Sequence, residues 1–383
     1  MDNQTKSLKT LLEEIESESL QQVLASIQLE TSPPGCTQIN ALDAHLFSSV
    51  PHHPSPLSSL NRRDVIEIQG PSASGKTHLL YHFLVICLLP LDFMGSHVNG
   101  WDKAAVVFDT DGNFDIRRFH EILVSRIQKA LTSDNTELSV APDDTDTDTD
   151  TDTDTISPAH TLATRCLQNL HIFRPTSSSQ LAATLMYLPS YHITHIPDAE
   201  IGLVAIDSMS AFYWADRFTA EQMRSAPPPP PRPGLDLASS YSPLQHVLTA
   251  LQRFRLSHGP VTILTNWGLN QLSPTSPFYK QHLHPYPSPF SESNSTHGHN
   301  AATKSSQNFP PITHHITLPP NHIPPFPPGI SLSDAKVQEE KYRKEVVEKG
   351  EVVGLIRTPG SHKTGRFTFC VRDDDVVVNV VKR

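Results

Sequence analysis

The chain has 383 residues and a formal net charge of −10; −10 less the seven carboxylates of Asp143, Asp144, Asp146, Asp148, Asp150, Asp152 and Asp154 leaves −3 for the rest. That balance gives no support for a strongly basic nucleic-acid-binding face, leaving only a local basic patch open, and no apolar run approaches the roughly eighteen residues of a membrane helix. Four cysteines stand far apart with no C-x-x-C pair, which argues for reduced thiols of an intracellular protein and against a disulfide framework or zinc site.

The start, Met1-Asp2-Asn3-Gln4, has neither the basic nor the apolar region of a signal peptide. Leu8, Leu11, Leu12, Ile15 and then Leu20, Val23, Leu24, Ile27 repeat the spacing of an amphipathic helix, so residues 1–30 read as a helical arm. Such an arm either docks on a neighbouring subunit or packs on its own domain. Residues 31–59, rich in Pro, Ser and His, read as a linker, and 60–383 as one α/β domain.

Within that domain a strand over 64–69 leads through a glycine-rich loop into a helix that Pro90 ends. Ala104 to Phe108 form the next strand, followed by a helix from about Asp115 to Leu131 with Ile116, Phe119, Leu123 and Ile127 inward. A short strand at Leu170–Phe173 and a helical stretch through Leu181, Leu185 and Leu188 come next. Ile201 to Ile206 are apolar throughout, as in a strand covered on both faces. A helix over Tyr241–Leu256 and a strand at Val261–Leu264 follow, and Glu351–Arg357, Arg366–Val371 and Val376–Val381 read as terminal antiparallel strands. Strand alternating with helix predicts a mostly parallel sheet with helices on both faces. Disordered insertions are expected near 133–160, 225–238 and 271–333. They carry the Asp-Thr repeat of Asp144 to Thr155, the run Pro227 to Pro231, and a Pro/Ser/Asn/His mixture.

The loop reads Gly70-Pro71-Ser72-Ala73-Ser74-Gly75-Lys76-Thr77, the G-x-x-x-x-G-K-[ST] phosphate loop in its strand–loop–helix context. Its main-chain N–H groups and the helix N-terminus suit the phosphates of a nucleoside triphosphate; Lys76 suits the outer phosphates and the Thr77 hydroxyl suits Mg²⁺. Asp207, closing the strand from Ile201, fits the Walker B carboxylate that holds Mg²⁺ directly or through water. Asp111, just past Asp109, is the candidate general base for a water attacking the γ-phosphate, or else a cap of the turn before the helix.

The stretch Phe108 to Phe114 followed by Arg117-Arg118-Phe119 resembles the strand–turn–helix of RecA-like strand-exchange recombinases, and Pro34 to Leu42 resembles a degraded form of their entry motif. Ala205-Ile206-Asp207-Ser208 is similar to the Walker B end of that family. The continuation Ser210-Ala211-Phe212-Tyr213-Trp214-Ala215-Asp216-Arg217 and the helix Gly75 to Pro90 resemble its eukaryotic X-ray-repair cross-complementing paralogues. Similarity covers roughly 60–130 and 165–270, with weaker terminal strands. It implies a RecA-like core that binds ATP, and a nuclear mediator of homologous recombination working with other paralogues to help the recombinase assemble on single-stranded DNA.

This chain departs from that family at several points. Asp111 is one methylene shorter than the usual Glu, which predicts slow or absent hydrolysis. Where active members carry a γ-phosphate-sensing Gln, the chain reads Thr265-Asn266-Trp267, with Asn266 the partial substitute. The DNA-binding loop that follows in the family is replaced by a tract whose fixed cations are Lys280 and Lys304, which predicts weak autonomous DNA contact. Phe212, Tyr213 and Trp214 are read as an aromatic cluster under the sheet. His282, His284, His297, His299, His314 and His315 are read as disordered His-rich composition, and Lys341 to Lys344 as a solvated helix face. Two other readings stay open: a DNA-stimulated ATPase using Lys76, Asp111 and Asp207, and a phosphate-loop small-molecule kinase, which lacks an Arg-rich lid here.

Overall fold

The computed structural model describes residues 27, 33–49, 57–135, 157–225, 242–269, 277–286, 288–290, 308–320, 326–339 and 343–379. The N-terminal arm lies almost wholly outside the described residues, as do the Asp-Thr tract and the proline run. Pro34–Arg383 is one compact unit.

In chain order its elements are α1 (Asn40–Ser49), β1 (Val65–Gly70), α2 (Lys76–Leu88), the small hairpin β2 (Asp92–Phe93) and β3 (Ser96–His97), β4 (Ala104–Asp109), α3 (Ile116–Asn135) and α4 (Pro158–Gln168). There follow β5 (Leu170–Phe173), α5 (Ser178–His195), β6 (Ile201–Asp207), α6 (Tyr213–Ser225), α7 (Pro243–His258), β7 (Val261–Trp267) and β8 (His314–Thr317). The chain closes with α8 (Leu332–Gln338), α9 (Lys344–Lys349), β9 (Glu351–Arg357), β10 (Thr364–Val371) and β11 (Val376–Val378).

One nine-stranded sheet runs β11-β10-β9-β8-β1-β7-β6-β4-β5. From β8 to β5 every pairing is parallel; β9, β10 and β11 add antiparallel strands at the other side. The expected α/β architecture, with a mostly parallel sheet and antiparallel C-terminal strands, is therefore present.

The central strands are buried end to end, and their side chains alternate between two cores. Ala105 and Val107 of β4 and Leu203 and Ala205 of β6 pack with α1, α2, α3 and α4. Val106 and Phe108, with Val204 and Ile206, pack on the opposite face with α5 and α7. Helix α2 is buried from Leu79 to Leu88, so the segment that begins at the phosphate loop is wedged in the molecule rather than laid on its surface.

The boundaries differ from the sequence reading at three places. The linker over 31–59 carries α1, whose Leu42 and Leu46 are buried in the first core. The insertion near 133–160 ends in α4, seated by Ala159, Leu162, Ala163 and Cys166 at helical spacing. Within 271–333, β8 sits between β1 and β9, and Phe278, Tyr279, Leu283, Tyr286, Phe309 and Ile312 are buried. Among the described residues of that tract, Leu283, Tyr286, Phe309 and Ile312 join the second core.

Candidate nucleotide site

The phosphate loop leaves the carboxyl end of β1, where the parallel strands β6 and β4 also end. Its shape depends on two glycines. Gly75 has φ +90°, a left-handed conformation that side chains resist, and a Cβ at Gly70 would stand 2.4 Å from Ser74 Oγ and 2.7 Å from the Leu318 carbonyl oxygen. Lys76 Nζ donates to the Gly70 and Pro71 carbonyl oxygens at 3.0 and 2.7 Å, which folds the ammonium back across the loop.

Two acids meet the loop from neighbouring strand ends. Thr77 Oγ1 donates to Asp207 Oδ2 at 3.0 Å, although the two residues are 130 apart in sequence. Asp207 Oδ1 accepts from the Thr265 hydroxyl on β7. Ser208 Oγ donates to Asp111 Oδ2 at 3.0 Å. Burial raises the Asp207 carboxyl above its ordinary range, the Thr265 and Thr77 hydroxyls pull it down, Asp111 pushes it up and Lys76 pulls it down. Burial lowers the Lys76 ammonium, and Asp207 and Asp111 oppose that. Lys76, Thr77, Asp207 and Asp111 thus share one electrostatic site.

The turn after β4 is capped by Asp109. Its Oδ1 accepts from the Asn113 and Phe114 N–H groups at 3.0 and 3.3 Å, and its Oδ2 pairs with Arg174 Nε at 3.1 Å. Asp111 makes neither contact; it is exposed, with Ser208 as its side-chain partner.

Asn266 does not reach this site. It is fully buried, donates to Glu67 Oε1 at 2.6 Å and accepts from Ser210 Oγ at 3.3 Å, on the face of the sheet opposite α2. Glu67 also accepts from Gln281 Nε2 at 2.6 Å, and its Oε2 stands 3.5 Å from His315 Nδ1. Arg357 donates to that same Nδ1 at 3.2 Å, so the ring proton sits on Nε2, 3.1 Å from Thr317 Oγ1. A bare carboxylate would then face a ring lone pair. Burial eases the conflict by raising the Glu67 carboxyl to about 7, against the pull of Asn266, Gln281 and Arg357, and by lowering His315 to about 3. The ring is therefore neutral, and the carboxyl is protonated below about pH 7.

Sequence reasoning named Lys76, Thr77, Asp207 and Asp111, which the structure brings together, and did not name Thr265 and Ser208, which bond the two acids. His314 and His315 are buried strand residues rather than disordered composition, and no group of three metal-binding side chains occurs among the described residues. Trp214 is 56% exposed, so the aromatic cluster does not lie wholly under the sheet; Phe212 and Tyr213 are half-buried.

The residues present fit a magnesium-bound triphosphate. Ser74 Oγ is buried inside the loop with no hydrogen-bond partner, Gly70 leaves a cradle that a Cβ would fill, and Thr77 and Asp207 present adjacent oxygens. A bound nucleotide would supply phosphate charge to the loop N–H groups and to Lys76, whose ammonium here bonds the Gly70 and Pro71 carbonyl oxygens.

No family model matches the chain. It is similar to the DNA repair protein XRCC2 homolog of Arabidopsis thaliana, 28% identical over 174 residues, and to DNA repair protein XRCC2 of Mus musculus, 26% identical over 183 residues. The matches cover 44% and 48% of this chain and 46% and 50% of those proteins, so the chain spans about half the length of the curated relatives it matches. The paralogue branch suggested by Ser210 to Arg217 is, in its second member, the one these relatives carry in their names, and the chain's likeness to that RecA-like group holds by sequence comparison as well as by motif.

Proposed function

We propose that this chain is an ATP-binding recombinase paralogue of the homologous-recombination repair of DNA double-strand breaks, acting in the nucleus as a mediator subunit. It works in a hetero-oligomeric complex with other paralogues and assists recombinase assembly on single-stranded DNA. The similarity to proteins named for DNA repair supports the setting. The observation that carries the nucleotide reading is the 3.0 Å contact between Thr77 and Asp207, which joins the two motif ends where Mg²⁺ is held in phosphate-loop proteins.

Binding dominates over turnover for two reasons. Asp111 is a short acid tied to Ser208, and the end of β7 offers the phosphates no amide, because Asn266 is committed to Glu67. Lys76 and the loop N–H groups bind and orient the phosphates, and Asp111 is the carboxylate that would take a proton from an attacking water.

A DNA-stimulated ATPase is the second reading, favoured by the exposed Asp111 carboxylate beside Ser208. Phosphate release by the purified chain, with and without single-stranded DNA, separates the two. Slow release insensitive to DNA is expected; strong stimulation that disappears in Asp111→Asn would replace the mediator reading with the enzyme. Co-purification from the native cell should return other paralogues, and their absence would remove the complex from the proposal.

A further inference from the structure

Past the end of β6, helix α6 carries a feature that the nucleotide reading leaves unused. Helix α6 exposes Trp214 (56%) and Phe218 (62%) one turn apart. Tyr213 packs edge-on against Trp214 at 4.8 Å between ring centres and also lines a cavity of about 310 Å³. Buried Met209, Leu244 and Leu283 give that cavity an apolar interior, while the half-buried Asp216 and exposed Glu221 bring carboxylates to it. Arg217, the one Lys or Arg among the described lining residues, is bonded to Glu221 at 3.0 Å and lies 5.8 Å from the Trp214 ring centre. His282 adds no positive charge: burial lowers it to about 4.

We propose that the Trp214–Phe218 ridge and the adjoining cavity form a docking site for a segment of a partner protein that inserts an arginine or lysine flanked by apolar side chains. The chemistry selects that occupant. The methylene stem of a long basic side chain matches the apolar interior, and its charged head matches the Asp216 carboxylate, which also accepts from Ser178 Oγ at 2.6 Å, with Glu221 shared with Arg217 beside it. Flanking apolar residues cover Trp214 and Phe218, the kind of exposed aromatic pair that supplies most of the binding energy at protein interfaces. A nucleic-acid strand is the poorer fit, since its phosphates would meet two carboxylates and a single, already paired guanidinium. The inference deepens the reading of the chain as a partner-dependent subunit and rests on it, but not on nucleotide binding.

The test is selection of a displayed random-peptide library, of about twelve residues per peptide, on the full chain. Counter-selection uses the Trp214→Ala/Asp216→Asn double variant, checked for an unchanged melting temperature. Enriched sequences are expected to carry Arg or Lys beside Leu, Met or an aromatic residue. Their synthetic forms should lose at least about tenfold in affinity on the double variant. Lys76→Ala should leave peptide affinity unchanged, so failure of the nucleotide site and failure of this surface are read separately. Enrichment indifferent to Trp214 and Asp216, or enrichment of acidic peptides, overturns the proposal. So does displacement of the peptides by oligothymidylate at physiological salt, which would make the surface a nucleic-acid site. Binding that appears only after residues 226–241 are replaced by a Gly-Ser linker also overturns it, because the chain would then be its own occupant.

Discussion

Strand alternation decides which polar side chain at the end of β7 can serve the phosphate site. Val261, Ile263 and Thr265 point to the α2 side, as do Leu203, Ala205 and Asp207 of β6, whereas Leu264 and Asn266 point to the other. Thr265, not Asn266, is therefore the β7 partner of Asp207. Thr265→Val removes one hydroxyl from a buried carboxylate and should destabilise the chain by about 1–3 kcal/mol. It should also weaken the Mg²⁺ dependence of ATP binding; unchanged melting and Mg²⁺ dependence would deny the contact. Glu67 titrates on the opposite face. A carboxyl raised from 4.5 to about 7 gives stability that is full below pH 4.5 and lost as pH rises through 7. Glu67→Gln, whose amide can donate to His315 Nδ1, should melt higher than the parent at pH 8 and lose that advantage at pH 5. The phosphate loop and Asp207 were legible because chemistry fixes their residue types and the strand ends fix their place. Thr265 was legible in principle from the period of two, yet an amide looks more like a phosphate sensor than a threonine does. Glu67 gave no signal in sequence, since its partners come from 214 and 248 residues downstream on Gln281 and His315.

Composition misleads at the level of elements. Residues 31–59 and 271–333 look like connectors, yet α1 and β8 are built from them. Helix α1 is short and only weakly amphipathic in appearance, but Leu42 and Leu46 seat it on β10 and the first core. Leu46→Ala should cost about 2–5 kcal/mol by opening a cavity there, read as a lower denaturation midpoint. A loss near zero would return the segment to a linker. Strand β8 carries two adjacent histidines, an unusual strand signature, and both are buried because Asp64, Thr358, Thr317 and Arg357 meet their ring nitrogens. The elements read correctly from sequence include β4 and β6, whose apolar runs are uninterrupted up to their terminal acids. The missed ones depend on partners that are distant in the chain, so local pattern could not supply them.

Across the whole molecule, buried titratable groups set a direction for stability with pH. Burial lowers His45, His78, His82, His171, His258, His282 and His315, with His82 and His282 at about 4 and His315 at about 3. It raises the carboxyls of Glu67, Asp207 and Asp216. The histidines bind fewer protons folded than unfolded, so their contribution is present above the ordinary pKa of 6.5 and lost as pH falls toward 4. The three acids oppose them but are outnumbered. The denaturation midpoint should therefore climb between about pH 4.5 and 6.5; a falling or flat profile would show the imidazoles to be protonated in the fold. The same molecule places Lys76, Thr77 and Asp207 in one site at the strand ends, and everything proposed about nucleotide rests on that convergence. Equilibrium titration with ATP, in Mg²⁺ and in chelator, of the parent chain and Lys76→Ala tests it directly. The account predicts saturable Mg²⁺-dependent binding that weakens at least about tenfold in the variant while the melting curve is retained; equal affinity in the two proteins, or binding indifferent to Mg²⁺, would contradict it.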